Sequence, residues 1–195
     1  MIPPSGDYRY ELLSAGQVVA VEESRLTAER LTGVRVSEGG RYEVEATLGP
    51  GAIVSAISLR YVRGPFARAA RYQAETDLLR GTVGALAGRN ATEVKLGRFR
   101  EVDADLVLFK ALIIGHARLR GTSRFTGRIA SIDSNTLVAA SRKQTYRQRD
   151  TSGLRWLCEP LLGEFEPIDL DEQGRVVRRI DRRGIETVLT AFHSI

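Results

Sequence analysis

His116, Arg118 and Arg120 alternate with Ala117 and Leu119, and they are the first residues here whose types and spacing suggest chemistry. In an extended strand, side chains two apart share a face, so a strand would present all three together. Arg124 and Arg128 share a face with Thr126 in the same way, opposite Phe125 and Ile129. Guanidinium groups hold carboxylates and phosphates through charge-assisted bonds, so this spacing predicts a site for an anionic ligand. The candidate ligand-binding set is His116, Arg118, Arg120 and Arg128, with Tyr72 and Trp156 as aromatic surfaces. Trp156, the one tryptophan, also reads as a core residue or a plug at a barrel end.

The other chemistry-bearing clusters are weaker. Glu101, Asp103 and Asp105 would share one strand face, where carboxylates serve acid–base chemistry or pair with Arg98 and Arg100. Asp169-Leu-Asp171-Glu-Gln-Gly174 begins like a calcium loop, but Ile180 stands where the bidentate Glu is required, so a β-turn is expected. Arg60 to Tyr72 interleaves four arginines with three aromatics, the mix used to bind single-stranded nucleic acid. Gly64-Pro65 breaks that stretch with a turn. There is no Gly-x-Ser-x-Gly elbow, no phosphate-binding Gly-rich loop and no His-Glu-x-x-His. With one cysteine and two histidines, the chain offers no zinc-ligand spacing. No catalytic residue, metal site or cofactor is assigned, and a non-enzymatic role is expected.

Charge is unevenly spread along the 195 residues. From Ala46 to Ala74 there are four arginines and no acid. From Leu106 to Arg149 there are nine Lys or Arg residues against Asp133 alone. The stretch from Asp150 to Glu172 inverts, with seven acids against Arg155. Arginine supplies 26 of the 29 basic residues. Two uses compete for this pattern. Neighbouring strands of opposite sign pair across the sheet, each pair contributing roughly 0.2–1 kcal/mol, or the acid-free strands face an anionic partner.

The elements that must position these residues read as strands. Arg41 to Leu48 alternates cleanly, as does Thr92 to Leu96. Gly51 to Val62, Gly127 to Ile132, Thr136 to Arg149, Leu154 to Glu159, Glu164 to Leu170 and Arg175 to Ile180 also suit strands. Nine Gly-, Asn- or Asp-bearing turn signals separate them, Ala87-Gly-Arg-Asn among these. Helical periodicity is confined to Ala104–Ile114, leading into a strand around Ala111 to Arg120, and to Ile185–Ala191. The expected fold is one mainly β domain over residues 1–195. It is an antiparallel barrel, half-barrel or sandwich of about ten strands with one or two short helices, since wide twisted sheets curl or close. Small residues at Ala46, Ala56, Ala70, Ala74, Ala130, Ala139 and Ala140 would leave space inside.

This architecture is similar to the half-barrel and barrel carriers of lipids and other apolar ligands, a likeness of fold class that does not fix function. The expected role is binding of a small anionic amphiphile, fatty acyl or glycolipid-like, with arginines of the 116–128 region on its head group. The alternative is a nucleic-acid-binding or protein-interaction module using a basic outer surface. The N-terminus lacks a basic-then-apolar signal, and the longest apolar run, Leu106 to Ile114, is interrupted by Lys110. A cytoplasmic, bacterial-type protein without membrane insertion is therefore expected.

Overall fold

The computed structural model describes residues 1–85, 88–160 and 165–195. Eight strands follow one another as a meander: β1 (Gly6–Ser14), β2 (Gln17–Leu26), β3 (Arg30–Ser37), β4 (Gly40–Gly49), β5 (Ile53–Arg63), β6 (Phe66–Ala74), β7 (Leu78–Ala85) and β8 (Gly88–Lys95). A two-residue strand, β9 (Val102–Asp103), precedes the helix α1 (Val107–Leu119). A second meander returns through β10 (Arg124–Ile132), β11 (Ala139–Gln148), β12 (Arg155–Pro160), β13 (Glu166–Leu170), β14 (Val176–Ile180) and β15 (Glu186–Ser194). Short connections make this local pairing economical. Ala15 and Gly16, both at positive φ, close the β1–β2 hairpin in the manner of a tight primed turn.

All fifteen strands form one sheet, ordered β8 to β1, then β15 to β9. Every neighbouring pair is antiparallel except β9–β10. The first and last strands meet in the middle, with a bulge at Arg9/Tyr10. This order forces the shape. Flat, the sheet would separate β8 from β9 by about 65 Å, at roughly 4.8 Å per strand. The chain from Lys95 to Val102 spans at most about 25 Å. The sheet must therefore roll until its edges approach. β8 lies against β11, and a Cβ on Gly97 would collide with the backbone of Arg128. The edges do not pair, so the roll stays open.

Helix α1 fills that roll. Leu106, Leu108, Phe109, Ile113 and Ile114 are all essentially inaccessible, and every helical residue from Val107 to Ala117 is buried. A helix apolar nearly all round belongs inside a core. Its N-cap, Leu106, offers no side-chain oxygen. Instead the Val107 N–H donates to Glu22 Oε1 at 2.8 Å, so a carboxylate from β2 sits at the positive end of the helix. Tyr42 of β4 donates to the Ala104 carbonyl at 2.7 Å, tying the helix approach to the sheet.

The mainly antiparallel β expectation holds, and several details change. The sheet has fifteen strands rather than about ten, because short strands joined by tight turns merge when read by pattern alone. The expected strand near Ala111 to Arg120 is helix, since burial on all sides removes the alternation that would separate the two. The helix candidate Ile185–Ala191 falls, from Glu186 on, in β15, paired with β1 and β14. The carboxylates expected on one strand face diverge, because β9 extends over only Val102–Asp103. Ala46, Ala70, Ala130 and Ala139 are buried in the core cluster around the helix, so these small residues make room for α1. Ala56 and Ala74 are half-buried and Ala140 is exposed. Ala87 of one expected turn and Glu164 of one expected strand lie outside the described residues.

Candidate functional site

Where β9, the start of α1, the β10–β11 hairpin, β12 and β13–β14 converge, charged side chains face one another in a cleft of about 750 Å³. Lys110 enters it from the helix, on the side of α1 that faces β9. Its ammonium lies 2.5 Å from Asp103 Oδ2, and both side chains are about 5% exposed. Burial, the largest single influence, would lower the Lys110 pKa, but Asp103 together with Cys158 and Glu166 holds the ammonium above the ordinary lysine range. Opposite, Arg179 of β14 donates from Nη2 to Glu166 of β13 at 3.0 Å. Glu166 also faces Arg182 at 3.6 Å. Burial pulls Arg179 down, yet Glu166 and Asp105 carry it above the usual arginine value.

A second layer backs these pairs. Asp105 has a positive φ of 59°, a conformation that aspartate tolerates better than most side chains. Its carboxylate accepts from Ser134 at 2.7 Å and from Arg35 at 3.1 Å. Burial would raise the Asp105 pKa, but Arg35 and Arg179 hold it below the ordinary carboxylate range. Arg35 turns its other edge to Glu22 at 2.9 Å. Charge thus runs from the helix N-terminus through Glu22, Arg35 and Asp105 into the cleft. Gln144 accepts from Tyr146 at 3.1 Å. Cys158 lies beside it, and burial pushes its thiol pKa up.

Two buried polar groups along the cleft have no hydrogen-bond partner: Arg179 Nε and Ser141 Oγ. Buried polar atoms are nearly always satisfied, and these two are not. The cleft adjoins a smaller groove of about 310 Å³ with which it shares Asp105, Ser134, Asn135 and Arg183. There the lining turns largely apolar, with Leu12, Val19, Ala20, Tyr42, Tyr61 and Ile185. A larger groove of about 790 Å³ crosses the outer face from β15 to β6. Most of its charges are exposed pairs across strands, Asp7 with Arg25 at 2.6 Å and Arg9 with Glu23 among them, whereas the polar cleft gathers charged side chains that are buried.

None of the six sequence candidates lines any of these three cavities. On a helix, His116 and Arg120 are one turn apart and converge on Glu101. His116 Nδ1 lies 2.9 Å from Glu101 Oε2, and Arg120 donates to Oε1 at 3.3 Å. The second His116 nitrogen meets the Gly51 carbonyl at 2.8 Å. Arg118 points away, toward Met1 and Gly174. Arg128 is on the outer face of β10, opposite Lys143. Tyr72 donates to the Leu137 carbonyl at 2.7 Å and accepts from the Ala139 N–H, holding the base of the β10–β11 hairpin. Trp156 is buried and donates to the Gly153 carbonyl at 2.9 Å. The residues that do meet, Lys110, Glu166, Arg179 and Gln144, lie on separate elements. The one available signal was Lys110 itself: a lysine inside an apolar run demands a buried carboxylate.

Among the described residues, no group of His, Cys, Asp and Glu has a metal-ligating arrangement. Among the same residues, no helix is long and apolar enough to cross a membrane. No protein-family model matches the chain, and none of the curated proteins does. Among solved structures, the chain is similar to a DUF1089 family protein from Pseudomonas aeruginosa. The TM-score is 0.60 at 19% identity, over 85% of this chain and 91% of that one. At that identity the likeness is one of fold: a mainly β architecture shared over most of both chains.

Proposed function

We propose that this chain is a non-enzymatic binding domain for a small amphiphile with an anionic or polyhydroxyl head, of the fatty acyl or glycolipid-like kind. The head occupies the polar cleft and the tail lies along the adjoining apolar groove. The observation that carries this reading is the junction of two unlike cavities through Asp105, Ser134, Asn135 and Arg183. Arg179 and Ser141, each with a buried polar atom that has no partner, line the head side. The tail lies outside the roll's centre, because α1 occupies the interior.

The protonation chemistry favours binding over catalysis. A general base works best with a pKa near neutrality, whereas Lys110 is pushed up by Asp103 despite burial. The Cys158 thiol is pushed up by burial, away from the thiolate a nucleophile needs. Organic extraction of the purified protein followed by mass spectrometry tests the proposal. An amphiphile should co-purify, with less of it retained by Ile185→Asp, which places a charge in the tail groove. Empty extracts, together with no melting-temperature shift from fatty acid or glycolipid probes, would sink the reading.

A further inference from the structure

On the outer face of the β10–β11 hairpin, cations stand directly opposite cations. The register pairs Arg124 with Arg147 and Arg128 with Lys143, with Thr126 opposite Thr145 between them. The two threonine hydroxyls hydrogen-bond at 2.9 Å. Elsewhere the sheet sets arginine opposite acid: Arg25 faces Asp7, Arg9 faces Glu23, Arg60 faces Glu43 and Arg80 faces Glu93. Like charges directly across a ladder are destabilising. On this face, among the described residues, Arg147 alone has a carboxylate, Glu159 at 2.7 Å. Arg124, Arg128 and Lys143 are exposed.

We infer that this face docks on an anionic lipid surface. A phosphate-rich partner supplies the counter-charge that the sheet withholds. The outward residues of the hairpin are Arg124, Thr126, Arg128, Lys143, Thr145 and Arg147, with no ring on which a base could stack. The same hairpin lines the polar cleft through Ser131–Asn135 and Ser141–Gln144. Docking by its basic face therefore sets the cleft beside a bilayer that holds amphiphiles. The choice of lipid over nucleic acid rests on the proposed function, whereas the uncompensated charge does not.

The experiment is sedimentation of the full chain with vesicles of phosphatidylglycerol and phosphatidylcholine in equal parts, against phosphatidylcholine alone. Binding should require phosphatidylglycerol and weaken with salt. Each Lys or Arg near an anionic surface strengthens binding roughly five-fold, so Arg128→Glu should weaken it by more than about ten-fold. The same substitution places an acid opposite Lys143 and should raise the melting temperature, so loss of binding is separable from loss of fold. Arg124→Glu is the second variant. Arg63→Glu, an exposed site on β5, makes the same change in net charge and should alter binding by less than about two-fold. Equal binding to both vesicle types overturns the inference. Equal losses from Arg63→Glu and Arg128→Glu, or tighter binding to a single-stranded oligonucleotide than to vesicles, overturn it as well. An amphiphile in the extracts without vesicle binding rejects docking alone. Vesicle binding with empty extracts and no melting-temperature shift from the lipid probes rejects the amphiphile instead.

Discussion

The two sides of α1 solve burial differently. Toward β4–β7 the core cluster that surrounds the helix is apolar and includes Val44, Ile57, Leu59 and Leu79. Toward β9–β14 it meets Asp103, Gln144, Glu166 and Arg179, all at least nine-tenths buried. The first side needs only shape and area. On the second, each charge is tolerable only because another charge stands within reach. A wall of Leu and Ile would hold the helix as well, since buried ion pairs add little over well-packed apolar residues. The charged side is therefore the costlier of the two ways to hold the helix.

The sharpest test of that contrast is Lys110→Met. It leaves Asp103 buried without its cation, and stability should drop by about 3–5 kcal/mol. Urea denaturation of Lys110→Met/Asp103→Leu should recover most of the loss. The raised Lys110 pKa means that its contribution is complete below the unfolded value, about 10.4. That contribution is lost as pH climbs through the folded value, so Lys110→Met should flatten the alkaline limb of the stability curve. On the dry side, Ile57→Ala should cost about 3 kcal/mol through the cavity it leaves, with no dependence on pH and no rescue by a charged partner. If the two losses respond alike to pH, the contrast fails.

Asp105→Asn probes the layer behind the cleft with a smaller effect. Because the folded pKa of Asp105 is lowered, its contribution is complete above the unfolded value, about 3.9. It is lost as pH falls through the lowered folded value. The wild type should therefore lose stability more steeply than Asp105→Asn below about pH 4, as read by thermal unfolding across pH. The smallest effect belongs to the exposed Arg9–Glu23 pair on the outer face. Arg9→Ala should cost about 0.5 kcal/mol or less, and less still in high salt.

Much of the sheet was legible one strand at a time. The alternation from Arg41 to Leu48 reproduces the inside and outside of β4, because one face of that strand is dry and the other wet. The helix was harder. From Leu106 to Ala117 both faces of any element would be buried, so apolar spacing carried no phase, and His116, Arg118 and Arg120 were placed on one face of a strand. A helix instead sends His116 and Arg120 to Glu101 and turns Arg118 away.

By itself the sequence determined a mainly antiparallel β chain, its turns and the segregation of its charges, because these follow from periods of two and from residues that tolerate positive φ. The tertiary structure decided that the meander rolls around a central helix and where the charges meet. Lys110 and Arg179 are 69 positions apart in the chain and face the same cleft only because the sheet rolls. Strand periodicity records which face a residue takes, whereas a cavity depends on which faces curvature brings together.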